Sequence, residues 1–251
     1  METDGINEFM RALFLPKAGE EDELLFCILW HYVIGFSQAF AGLIVHLAGR
    51  IEMSDLFSDM VKRSEVAAGV FAAAIEEFGE PSLSGNPTHR RLAQEFMHGV
   101  MLSLGLSKDA IPEFSREQVE IMRKIRYLYC SNLIEVTKED LLIAVGANWR
   151  SERVAREEFS ILHTLFAGKW SHMGDMLRQS NALVCPVSRT PFAWIDVHKN
   201  VEIGHADSSE TAAMLAIEYS DDRKQASKLV FKGATEFAHL HKWFMATLLT
   251  E

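Results

Sequence analysis

Cysteine is scarce in this sequence: Cys27, Cys130 and Cys185 are the only three in 251 residues, odd in number and widely spaced among apolar neighbours. They form no disulfide framework and suit reduced thiols in a cytoplasmic protein. Positive charge is also short, with 25 Lys and Arg against 35 Asp and Glu, a formal net charge of -10. Such a chain repels phosphate backbones, and no basic run interleaved with aromatics offsets the repulsion, so nucleic acid is not an expected partner. No 18-residue stretch is wholly apolar. The best, residues 24–48, contains His31, Gln38 and His46 and follows Glu20, Glu21, Asp22 and Glu23 rather than a basic region with a cleavage site. It predicts a core helix, neither a membrane span nor a signal peptide. A GxSxG elbow, an HExxH pair, a P-loop and a GxGxxG turn are all missing, which counts against hydrolase and nucleotide-binding readings.

The sequence is rich instead in apolar residues, 48% of the total, recurring every three or four positions. Alternating β-branched runs flanked by turn residues are almost absent, so the expected fold is all-α. With no linker between separately patterned halves, residues 1–251 read as a single-domain helical bundle, 1–20 being a peripheral segment. Helices are expected at about 6–14, 21–49, 53–79, 87–104, 115–134, 138–168, 169–181, 192–220 and 222–249, nine as an upper count. Pro81, Gly85 and Pro87 break the chain after Glu80, and Asn86 is placed to cap the helix that Pro87 begins. Thr137 before Glu139 and Asp140 starts the long sixth segment as a side-chain cap with an acidic first turn does. Pro186 and Pro191 bracket a non-helical crossing over residues 184–191.

Three clusters carry chemistry. In the first, His198, Glu202 and His205 stand at i, i+4 and i+7, within about 60° of one another on a helix at about 100° per residue. Two imidazoles and a carboxylate able to bridge suit one or two iron, manganese or zinc ions. The same trio also fits the polar side of a half-exposed helix. In the second, Glu76, Glu77 and Glu80 crowd a helix end whose dipole already carries negative charge, with His89 just past the turn. A cation beside them compensates that charge, and so does solvent. The third is Glu152, near the apolar stripe of Trp149, Phe159 and Leu162, where it needs a partner. Arg150, Arg153 and Arg156 offer a salt bridge, and Glu157 and Glu158 are less well phased substitutes. A rival set uses Glu-x-x-His pairs, of which there are three: Glu95/His98, Glu202/His205 and Glu236/His239.

Together the clusters resemble the heme-oxygenase-like diiron oxidases, which share a seven-helix heme oxygenase/thiaminase scaffold. The resemblance rests on Glu77-Phe78-Gly79, on His89 with Phe96 and Gly105-Leu106, on Ser151-Glu152, and on His198, Glu202 and His205. Order and rough spacing hold over about residues 24–245, although Glu stands at 202 where the family often has Asp. The resemblance implies a bundle of about seven to nine helices and six ligands for two irons: Glu77, His89, Glu152, His198, Glu202 and His205, with Glu76 and Glu80 as substitutes for the first. It further implies dioxygen as cosubstrate and an external electron donor. The expected activity is hydrogen abstraction from a small amino-acid-like or fatty-acid-like substrate, leading to desaturation, carbon–carbon cleavage or N-oxygenation in specialised metabolism. Trp149, Phe159 and Trp194 favour an apolar or aromatic substrate, and the three arginines offer an anchor for a carboxylate. Two other readings stay open: an enzyme of the thiaminase or pyrroloquinoline quinone synthase type without a metal centre, and a helical interaction protein. In the latter, stripes such as Trp243-Phe244-Met245 are core or the face of a homodimer.

Overall fold

A computed structural model describes residues 4–14, 21–79, 83, 85–180 and 190–249. Ten α-helices and no strand occur among them: α1 (Asp4–Phe14), α2 (Glu21–Trp30), α3 (Phe40–Glu52), α4 (Met60–Ile75), α5 (His89–Ser103), α6 (Arg116–Leu128), α7 (Lys138–Ala167), α8 (Ser171–Gln179), α9 (Ala193–Glu218) and α10 (Arg223–Thr247). The fold is an all-α single-domain bundle, as the apolar periodicity predicts. Cys185 and nearly all of the expected crossing at 184–191 lie outside the described residues, as do Glu80, Pro81 and residues 1–3 and 15–20 of the amino-terminal segment.

Side-chain caps open α5, α6, α7 and α10. Thr137 Oγ1 accepts from the Asp140 amide at 3.1 Å while Asp140 accepts from the Thr137 amide at 3.0 Å, a reciprocal box opening α7. Ser115 and Gln118 do the same for α6. The expected cap at Asn86 is replaced by Thr88, whose hydroxyl accepts from the Arg91 amide. Asn86 instead takes a left-handed conformation (φ 46°) behind Gly85 (φ 82°), with its side chain close against Gly79, so the chain doubles back towards the end of α4. The helix expected from residue 53 begins at Met60. Ser54 and Asp59 bond backbone groups with their own side chains and build a turn in place of helix.

One helix more than the expected nine arises because the apolar stretch is not uniformly α. Between α2 and α3 lie a π-helical turn, His31–Phe36, and a 3-10 turn, Ser37–Ala39. The continuous stretch Asp22–Glu52 is long and apolar enough to cross a membrane by length and composition. Its Leu25, Leu29, Tyr32, Val33, Leu47 and Ile51 are nonetheless fully buried against other helices.

α7 packs chiefly on α9 and α10, and α9 also on α4. Phe159 meets Trp194 while Glu152 meets His205, so α7 and α9 run antiparallel. Gly69 meets Ala212 while Glu65 bonds Tyr219, so α4 and α9 do too. α10 lies parallel to α7 at very close range. A Cβ at Gly146 would stand 1.8 Å from the Val230 carbonyl oxygen, and one at Gly233 1.8 Å from that of Ile143. Because those obstacles are backbone, Gly146→Ala is expected to destabilise by about 3 kcal/mol or more, lowering the unfolding midpoint by roughly 6–12 °C. Gly42, exposed on α3 with open space around it, is the control: Gly42→Ala should raise stability by about 0.5–1 kcal/mol. Chemical denaturation of both variants checks the pair.

Candidate metal centre

The stripe on α9 faces inward: His198, Glu202 and His205 are 2%, 4% and 6% exposed, which removes the half-exposed-helix alternative for this trio. Opposite them stand Glu152 from α7, His89 as the first residue of α5, and Glu77 in the 3-10 turn Glu76–Phe78 that ends α4. The left-handed turn at Gly85 and Asn86 brings the last two together, with His89 Nδ1 3.1 Å from Glu77 Oε1.

The six residues fall into two groups, Glu77/His89/His198 and Glu152/Glu202/His205, and within each the three potential ligand atoms lie within 4.8 Å of one another. His205 Nδ1 is 3.8 Å from Glu202 Oε2 and 3.9 Å from Glu152 Oε2. Those gaps are too wide for hydrogen bonds but less than twice a metal–ligand bond of about 2.0–2.2 Å. Either group could hold a metal ion. The His89 and His198 rings stand 4.3 Å apart. His198 is held most firmly: its Nδ1 donates to the Trp194 carbonyl at 2.7 Å, Phe159 stacks on it at 4.1 Å, and Trp194 lies beside it at 5.1 Å. A ring fixed through Nδ1–H presents the Nε2 lone pair as a ligand.

Burial dominates the electrostatics. It pushes Glu152 up to about 8, with the charge of Glu202 adding to the rise and His205 opposing it. Burial raises Glu202 as well, again against His205. The same desolvation, reinforced by His89, holds His198 well below the usual imidazole range. Arginine does not relieve Glu152: Arg153 and Arg156 are exposed, and Arg150 lies nearest in charge to Glu157. A set of three carboxylates and three imidazoles removed from water fits divalent cations, whose charge supplies what the protein does not.

Between these residues is a cavity of about 50 Å³, room for a few water-sized groups. Its remaining wall includes Phe36, Phe40 and Phe237, together with Glu158, named from the sequence only as a substitute for Glu152, and Tyr32, which the sequence did not place there. Glu158 Oε1 accepts from His241 Nε2 at 2.7 Å and Oε2 accepts from the Tyr32 hydroxyl at 3.0 Å. Burial, then the charge of Glu158, keeps the Tyr32 phenol far above its usual range, so it stays a donor. Glu152, not Glu157 or Glu158, is the mid-chain member of the two groups that could hold a metal ion. Glu77 likewise takes the place for which Glu76 and Glu80 were substitutes; neither of those side chains is among those described. Of the three Glu-x-x-His pairs only Glu202/His205 belongs to these groups. Glu95 binds Arg91 at 3.0 Å and Glu236 faces Lys232 at 3.7 Å, while His239 lines a surface groove. Trp149 packs on Phe231 away from the cavity, which removes it from the expected substrate wall.

No protein-family model, curated protein or solved structure matches the chain.

The raised Glu152 fixes a sign. Below about pH 8 the metal-free carboxyl holds a proton that a cation must displace, whereas His198 is already neutral there. Zn(II) binding at pH 7 should release protons, and its apparent affinity should climb until about pH 8 and then level. Calorimetry in two buffers of different ionisation enthalpy measures this, and heats independent of buffer at pH 7 would contradict it.

Proposed function

We propose that the chain is a non-heme diiron oxidase or oxygenase of the heme-oxygenase-like class, using dioxygen to oxidise a small organic molecule. The observation that carries this reading is the convergence of Glu77, His89, Glu152, His198, Glu202 and His205, six residues from four helical segments, as two groups of three potential ligands, all but His89 lining one interior cavity. Three protein ligands per ion leave positions open, as a catalytic site requires and a structural one does not. Three carboxylates offset three of the four charges of a diferrous pair. Two ferrous ions held there supply electrons to dioxygen, and an external donor restores them.

The chain's own residues have definable tasks. Trp194 and Phe159 hold His198 in one orientation, so the ligand is fixed before an ion arrives. Phe36, Phe40 and Phe237 keep bulk water out of the cavity. Ser151 donates to the Asn148 carbonyl and bonds the Tyr129 hydroxyl at 2.6 Å, seating α7 immediately before Glu152. Glu77, with its side chain 18% exposed against 8% or less for its partners in ion pairs at the site, gives cations their approach from solvent.

A metal-free enzyme of the thiaminase type needs none of these groups to converge, and a purely structural bundle has no use for five buried ligating side chains around a cavity. Anaerobic titration of metal-free protein with Fe(II) tests the proposal. Two irons per chain are expected, with a transient near-ultraviolet to visible band on adding oxygen. In His198→Ala the stoichiometry should fall towards one and the band should vanish. No specific iron uptake, even with candidate amino acids and fatty acids present, sinks the reading.

A further inference from the structure

The two groups leave one carboxyl side chain of the cavity wall unassigned. Glu158 lies on α7 six residues beyond Glu152, is 2% exposed, and lines the same cavity without belonging to either group. A carboxylate so buried needs a reason, because desolvation penalises it more than any neutral side chain of that size. Its hydrogen bonds come from His241 and Tyr32, on α10 and on the π-helical turn. Neither donor is a lysine or arginine, and among the described residues no ion pair joins Glu158 to one. Each carboxylate oxygen accepts about two hydrogen bonds, so one bond on each leaves capacity on the oxygens at the cavity wall.

The surroundings of Glu158 define what that capacity can receive. Phe36, Phe40 and Phe237 supply an apolar wall, and Ala155, between Glu152 and Glu158 on α7, with Ala73 on α4 keeps the space open. A guest therefore needs a short apolar body and a strong hydrogen-bond donor. Against Glu158 itself a carboxylate headgroup brings a like charge and no hydrogen to donate. An ammonium group meets both demands.

We infer that Glu158, held by Tyr32 and His241, is the anchor for a cationic nitrogen of the substrate, so that the cavity takes small amines in preference to fatty acids. This rests on the reading that the cavity is the reaction chamber. In it Glu158 is a specificity residue: it holds the substrate by its nitrogen while the apolar portion lies along the aromatic wall, beside the two metal-binding groups.

The protein loaded with Zn(II), a redox-inert stand-in for iron, can be titrated with ethylammonium, ethanol and acetate, probes small enough for a space of a few water-sized groups, by ligand-observed NMR. Ethylammonium should bind at least ten times more tightly than ethanol, whereas acetate, which suits the open zinc positions, should bind no more weakly in Glu158→Gln than in the unaltered protein. Glu158→Gln should abolish the preference for ammonium over ethanol with zinc stoichiometry unchanged. Ala155→Leu, which fills the space beside Glu158 without touching its hydrogen bonds, should abolish binding of ethylammonium and serves if the glutamine variant does not fold. An ethylammonium affinity no greater than that of ethanol, an ammonium preference that survives Glu158→Gln, acetate binding weakened by Glu158→Gln, or ethylammonium binding unchanged in Ala155→Leu each overturns the inference. If zinc and iron fail to bind while a Glu158-dependent ammonium preference persists in metal-free protein, the diiron reading falls and the amine site stands.

Discussion

Everything in the interior of this bundle is arranged around the removal of carboxylates and imidazoles from water. Glu152 at 6% exposure, Glu158 at 2%, Glu202 at 4% and His89 at 0% occupy positions where a hydrocarbon side chain is the ordinary choice. A single ionised group in such surroundings costs several kcal/mol unless it is paired, and the pairing here is partial. Glu158 is met by His241 and Tyr32, Glu95 by Arg91 and Glu77 by His89 at 3.1 Å, while Glu152 and Glu202 have His205 just beyond bonding distance. The metal-free fold is thus under electrostatic tension at one place, and the rest of the architecture serves to hold that place together.

α7 is the spine of that arrangement. It presents Ser151, Glu152, Ala155, Glu158 and Phe159 to the cavity over about two turns, so one rigid element fixes the spacing between Glu152 and the second buried carboxylate. Its glycine contact with α10 brings His241 within reach of Glu158, and its antiparallel packing on α9 sets Glu152 opposite His205. Because both contacts depend on the same helix, a shift of α7 along its axis would disturb both stations at once. This is the physical link between the backbone closeness at Gly146 and the chemistry two or three turns away.

Much of this was legible in the sequence, for reasons that can be named. The stripe of His198, Glu202 and His205 follows from helical periodicity alone, and the Thr137 start of α7 from the local competition of a side-chain oxygen for backbone amides. The pairing of Glu77 with His89 was visible as acid before a turn and imidazole after it, although the turn itself uses Asn86 as a left-handed residue and Thr88 as the cap. Tyr32 and His241 were not legible. Their roles come from contacts across 126 and 83 residues with Glu158, and no local pattern marks a tyrosine or histidine that hydrogen-bonds so far along the chain. The π-helical turn was equally hidden, since its residues, His31 to Phe36, have the apolar spacing of an ordinary core helix.

That turn sets the register of α2. A π turn holds one residue more than the α-helix around it would use. Each residue of an α-helix advances about 100°, so the extra one turns α2 relative to Phe40 and Ile44. Removing a single residue from the segment would swing the Tyr32 side chain away from both Glu158 and Phe9. The irregular turn therefore acts as a spacer: the orientation of a buried phenol is set by one surplus residue in the chain.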